Sequence, residues 1–118
     1  VHPNYSEKHD ENHGPLMNQG PVIKINSNQR YATNGDTSAI FSYLCNKAKV
    51  PFQKFVTRAD MACGSTIGPI TSTLIGLKTV DVGIPQLAMH SIREVCGAKD
   101  PQYLYNVLVE FYNEKKNL

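Results

Sequence analysis

No apolar run in this chain of 118 residues approaches the roughly 20 residues that a helix needs to cross a bilayer, so the sequence carries no transmembrane helix. The opening residues, Val1-His2-Pro3-Asn4-Tyr5, lack the basic and apolar regions of a secretory signal. Charge of one sign is also scarce. The net charge of +2 gives no basic excess of the kind that binds nucleic acid. Cys45, Cys63 and Cys96 are odd in number and nowhere spaced C-x-x-C, which argues against a disulfide framework and for reduced thiols in a cytoplasmic protein. There is no internal repeat and no low-complexity tract. What remains is the composition of a soluble globular protein, long enough for one modest domain.

Residues 1–20 are rich in Pro, Asn, Gly, His and charge, and read as one long irregular connection. Loops of this length inside a compact domain are often functional. His9 and His13 stand four apart, as in the H-E-x-x-H helix of zinc proteases. Asp10, however, occupies the place of the general-base glutamate, and Asn12, Gly14 and Pro15 oppose a buried helix, so an exposed polar loop is the better reading.

Val22-Ile23-Lys24-Ile25 reads as a strand with a lysine set in an apolar run. The residues alone leave Lys24 open: its stem can cover apolar surface on an exposed face, or its ammonium can wait in a pocket for a carboxylate. A helix is predicted from about Thr37 to Lys49, with Asp36 or Thr37 as N-cap. Ile40, Phe41, Leu44, Cys45 and Ala48 form its buried stripe, and Val50-Pro51 ends it. Phe52 to Thr57 is the next strand. A strand-to-helix turn follows over 58–69, and Ile67, Ile70 and Leu74 space as the buried face of its helix. The glycines of that turn fit no dinucleotide or P-loop spacing. A Cys63 nucleophile paired with His90 has no visible third group to orient the histidine.

The chain is organised around Gly83-Ile84-Pro85-Gln86-Leu87-Ala88-Met89-His90-Ser91-Ile92-Arg93-Glu94. Val80, Val82 and Ile84 alternate with Thr79, Asp81 and Gly83 as in a two-faced strand, which Pro85 closes. His90 follows at the strand end, where α/β sheets collect ligands and catalytic groups. Cys96-Gly97 is predicted to end a short helix. Asp100-Pro101 starts the last one, with Leu104, Val107, Leu108 and Phe111 as its stripe. Strands alternating with helices imply an α/β fold, a three-layer αβα sandwich or one half of it.

The stretch Pro85 to Glu94 resembles the final metal-ligand motif of the aspartyl aminopeptidases, a family of co-catalytic zinc exopeptidases. Val1-His2-Pro3-Asn4-Tyr5 agrees with that family, as do Gly20 to Asn26 with Asn28 to Thr33, and Cys63 to Ile70, in the family's order and roughly at its spacing. The motif around residue 59 departs slightly, with Ala59 where the family carries asparagine. The resemblance covers nearly the whole chain. It implies that residues 1–118 are the C-terminal part of a metallopeptidase domain of the zinc-exopeptidase type, with 1–20 a loop near the active site.

The same resemblance implies two zinc ions per active site in the complete enzyme, with His90 as one ligand and the general-base glutamate upstream of Val1. Lys24 would face the acidic side chain of a peptide's N-terminal Asp or Glu. Tyr31 and Met89 would line the cleft, and His2 would make a substrate or outer contact. The partners implied are such peptides, the remaining N-terminal part of the enzyme and further copies of it, with neither nucleic acid nor membrane. This chain alone is expected to be inactive. The alternatives are a relative that removes neutral residues, and a module that serves only folding or assembly.

Overall fold

The structure, a computed structural model, describes residues 14–26, 33–57, 74 and 76–116. The predicted turn over 58–69, Ile67 and Ile70 of the helix after it, Cys63, His9, His13, His2 and Tyr31 lie outside them, while Leu74, expected on that helix's buried face, is 78% exposed.

Strand β1 (Val22–Asn26) is the centre of a three-stranded sheet. Helix α1 (Gly35–Lys47) carries the chain over to β2 (Gln53–Thr57), which pairs with β1 in parallel, Val22 beside Gln53 and Lys24 beside Phe55. Parallel neighbours need a crossover of this kind, because no tight turn can join them. On the other side β3 (Val82–Gly83) pairs with β1 antiparallel, Val22 opposite Gly83. The Lys24 amide extends that pairing by donating to the Asp81 carbonyl at 2.9 Å.

Alternation along β1 divides its side chains between two faces. Ile23 is fully buried among Phe41, Leu44 and Cys45 of α1 and Val107 of helix α2 (Asp100–Asn113), with Ile25, Val80, Val82 and Leu104 packed around them. Both helices therefore cover the same face of the sheet, and Val22 and Lys24 belong to the other. Burying one such aliphatic side chain contributes about 1.5–3 kcal/mol, so this cluster is what holds the helices on the sheet. Cys45 is a core thiol, as its place in the stripe predicts, and burial pushes its pKa up to about 12.

Helix α1 begins two residues earlier than predicted. Asn34 is its cap: the Asn34 side chain accepts from the Thr37 amide at 2.9 Å, and the Thr37 hydroxyl accepts from the Asn34 amide at 3.0 Å. The helix ends at Lys47. Lys49 turns left-handed (φ 57°), and the Val50 amide closes on the Cys45 carbonyl at 2.9 Å. The far ends of the two helices are tied by Lys47, whose ammonium lies 2.9 Å from Glu114 and 3.4 Å from Glu110. The Lys116 amide and then Lys47 hold the Glu114 carboxyl down to about 2.

Three further sequence expectations are corrected. The segment before Gly97 is no helix. Strand β4 (Gln86–Leu87) pairs antiparallel with β5 (Val95–Cys96) as a small separate hairpin, and Gly97 is glycine because an added Cβ would strike Asn18. The stripe of α2 is buried over only part of its length: Val107 is 1% exposed, but Leu108 and Phe111 are 42% and 49% exposed. The strand expected from Val80 to Ile84 also pairs over a shorter stretch, and its alternation breaks at Ile84-Pro85, where the chain leaves for the hairpin.

Candidate functional site

The sheet face opposite the helices carries a groove of about 310 Å³. Three features build it. Val22 and Lys24 project from β1, and Phe55 stands beside Lys24 by the parallel register. Gly83 lies across β1 on the same face, and a Cβ placed on it would sit at ordinary contact distance, 3.8 Å, from Lys24 Cε. Ile84, Pro85, Gln86 and Met89 then form one wall as the chain turns from β3 into the hairpin, and Pro15 forms another. Apart from Lys24 and Gln86, the lining side chains are apolar. A carboxylate entering such a groove loses water, and a cation beside it offsets that loss.

His90 lies one residue beyond Met89, on the loop joining β4 to β5. It is exposed and is not among the residues lining the groove. The loop is fixed by its own short-range bonds. The His90 amide donates to the Glu94 carboxylate, the Ser91 amide to the Ala88 carbonyl at 3.1 Å, and the Arg93 amide to the Ser91 hydroxyl at 3.2 Å. Ala88 and His90 both have positive φ, 54° and 67°. Left-handed backbone is unfavourable for alanine, and such positions cluster where a loop must aim a side chain.

The structure thus brings Lys24 and Met89 into one groove and puts His90 on the adjoining loop; His2 and Tyr31 fall outside the described residues. Phe55 and Pro15 were not singled out from sequence. Phe55 was readable in principle, since a parallel partner of β1 must place every second side chain on the same face. Pro15 was not, because what holds it comes from distant residues. Among the described residues no three His, Cys, Asp or Glu side chains gather as a metal site. A catalytic zinc needs about three protein ligands, so the single imidazole of His90 does not make a zinc site and no hydrolytic step is assigned to these residues alone. None of the described helices is long and apolar enough to cross a membrane.

A sheet with helices on one face and a groove edged by a strand-end loop on the other is the layout of part of an α/β sandwich. Comparison with known proteins makes this specific. Residues 1–112 match the family model described as Aminopeptidase I zinc metalloprotease (M18), and the chain belongs to that family. It is 60% identical over 116 residues to the probable M18 family aminopeptidase 2 of Pseudomonas fluorescens, a match covering 98% of this chain and 27% of that protein. To the protein of the same name from Pseudomonas aeruginosa it is 62% identical over 112 residues, 95% of this chain and 26% of the relative.

Among solved structures, a chain of the Ape4 and Nbr1 complex superposes with a TM-score of 0.89 at 45% identity, over 94% of this chain and 21% of that one. The S. cerevisiae mApe1 dodecamer gives 0.82 at 31% identity, over 97% and 24%. The fold is accordingly that of a portion of the α/β exopeptidase sandwich. The chain spans about a quarter of the length of the curated relatives it matches.

Proposed function

We propose that this chain is the C-terminal part of a longer cytoplasmic zinc aminopeptidase that removes N-terminal Asp or Glu from peptides. Membership of the aminopeptidase family supports the reaction class. The acidic preference rests on one observation: Lys24, on the central strand, lines a groove whose other walls are mostly apolar. A pocket of that composition favours a negatively charged side chain, because the lysine compensates the desolvated carboxylate. Met89 and Tyr31 are wall residues in this reading, and His2 makes an outer contact with the substrate.

His90 holds one ion of a two-zinc centre. The other ligands and the general base come from the rest of the polypeptide, which also supplies the partner that this portion folds against. The complete enzyme assembles as a homo-oligomer, a reading supported by the S. cerevisiae relative mApe1, which is a dodecamer. The isolated 118-residue chain is inactive. The experiment is zinc titration and peptidase assay of this chain beside the longer enzyme, with His90→Ala in the latter. Weak zinc binding and no hydrolysis are expected from the chain. The His90→Ala enzyme should lose one metal and most of its activity. A His90→Ala enzyme that keeps both metals contradicts the ligand role, and tight stoichiometric zinc in the isolated chain contradicts the partial-site reading.

A further inference from the structure

Surface connections normally leave their backbone groups to water. The turn over 16–20 does not. Gln53 of β2 brackets it: its side-chain carbonyl accepts from the Leu16 amide at 2.7 Å, and its amide nitrogen donates to the carbonyls of Leu16 at 2.8 Å and Gly20 at 3.1 Å. Asp100, at the start of α2, grips the same turn from the other side. One carboxylate oxygen accepts from the Asn18 amide at 2.8 Å, the other from the Gly20 amide at 3.0 Å. The Asp100 side chain is fully buried, and a buried carboxylate is tolerated only when its oxygens are satisfied in this way. The Asn18 side chain returns the contact by accepting from the Lys99 amide at 2.9 Å.

The close fit explains two glycines. A Cβ on Gly20, whose φ is 93°, would run into the Pro51 carbonyl, and one on Gly97 would run into Asn18. Pro15 comes immediately before this turn, and it is a wall of the groove that holds Lys24 and Met89.

We propose that Asp100 is a positioning residue of the groove: with Gln53 it fixes the 16–20 turn, and through that turn the Pro15 wall that limits the side chain the groove accepts. Its role in catalysis rests on reading the groove as the substrate pocket. Asp100 touches no substrate in this scheme. It acts through the backbone of Asn18 and Gly20.

The test has two arms. Asp100→Asn keeps the shape but puts an amide donor where one oxygen accepted, so one bond to the turn is lost. Amide hydrogen exchange on the longer enzyme should show Asn18 and Gly20 protected, and their protection reduced roughly tenfold or more in the variant while Ile23 and Leu44 keep theirs. In the longer enzyme, assayed on the peptide the unmodified enzyme cleaves best, KM should rise roughly tenfold with kcat and metal content close to the unmodified values, since a misplaced wall weakens binding before it alters chemistry.

Gln53→Ala should do the same, and the double variant should show less than the sum because both side chains hold one turn. If Asp100→Asn does not fold, Gln53→Ala decides the matter. Amides that stay protected in the variants overturn the latch. An unchanged KM after the turn is released, or a rise in KM matched by a fall in kcat and in melting temperature, overturns the positioning role. An unmodified enzyme without preference for acidic residues defeats the acidic reading of Lys24 but leaves this test intact, because the KM of the best substrate still reports on Pro15.

Discussion

Ile23 and Lys24 are neighbours in sequence and serve opposite faces of β1, so substitutions one residue apart should have unrelated effects. Ile23 is fully buried in the cluster beneath α1 and α2. Ile23→Ala removes three carbon groups at about 0.8 kcal/mol each, roughly 2.4 kcal/mol of transfer free energy, and the cavity left in a close-packed site raises the loss to about 3–4 kcal/mol. With an unfolding entropy near 2.1 cal/mol/K per residue, this corresponds to a fall in melting temperature of about 12–16 °C for a chain of 118 residues. Lys24→Met keeps the apolar stem and should cost less than about 1 kcal/mol, or roughly 4 °C. Thermal melts of the two variants, followed by circular dichroism, make the comparison. Equal losses from the two substitutions would refute the division of β1 into a core face and a groove face.

Two further outcomes concern titratable groups away from the groove. The Glu114 carboxyl is held at about 2, against an ordinary 4.5, by the Lys116 amide and Lys47, so its contribution to stability is complete above about pH 4.5 and is lost as pH falls toward 2. Denaturant titrations should therefore show a shallower acid loss in Glu114→Gln than in the unmodified chain, and an equally steep loss would contradict the contact. Thiol labelling at about pH 8 should modify exposed Cys96 and spare buried Cys45, whose pKa of about 12 leaves almost no thiolate. Peptide mapping that finds Cys45 labelled in the folded chain would contradict the core placement.

Local patterns revealed what local forces decide. The stripe Ile40, Phe41, Leu44, Cys45 located α1, and the Val-Ile-Lys-Ile run located β1, because each buries one face against the other. The hairpin was misread for a physical reason. Leu87, Ala88, Met89, Arg93 and Glu94 are good helix formers, while the pairing of Gln86 with Cys96 and the left-handed turns at Ala88 and His90 are set by the surrounding fold.

The cap expected at Asp36 or Thr37 is Asn34, two or three residues earlier, because neighbouring polar residues can each fill such a position. In the site, Lys24 was visible as a cation in an apolar strand and Met89 through its motif. The grip of Asp100 on Asn18 and Gly20 was not, since it joins residues about eighty positions apart, and Asp100 carried only the signal of a helix start.

In the proposed reading Lys24 pairs with the acidic side chain of the substrate. The direct measurement is kcat/KM of the longer enzyme and its Lys24→Met variant on peptides beginning with Asp and with Leu. Removing one side of a buried charge pair should cost about 2–5 kcal/mol of transition-state stabilisation on the Asp peptide. The Leu peptide, which never used the charge, should be cleaved nearly as before, with metal content unchanged. Equal losses on both peptides would contradict the claim and make Lys24 a structural residue of β1.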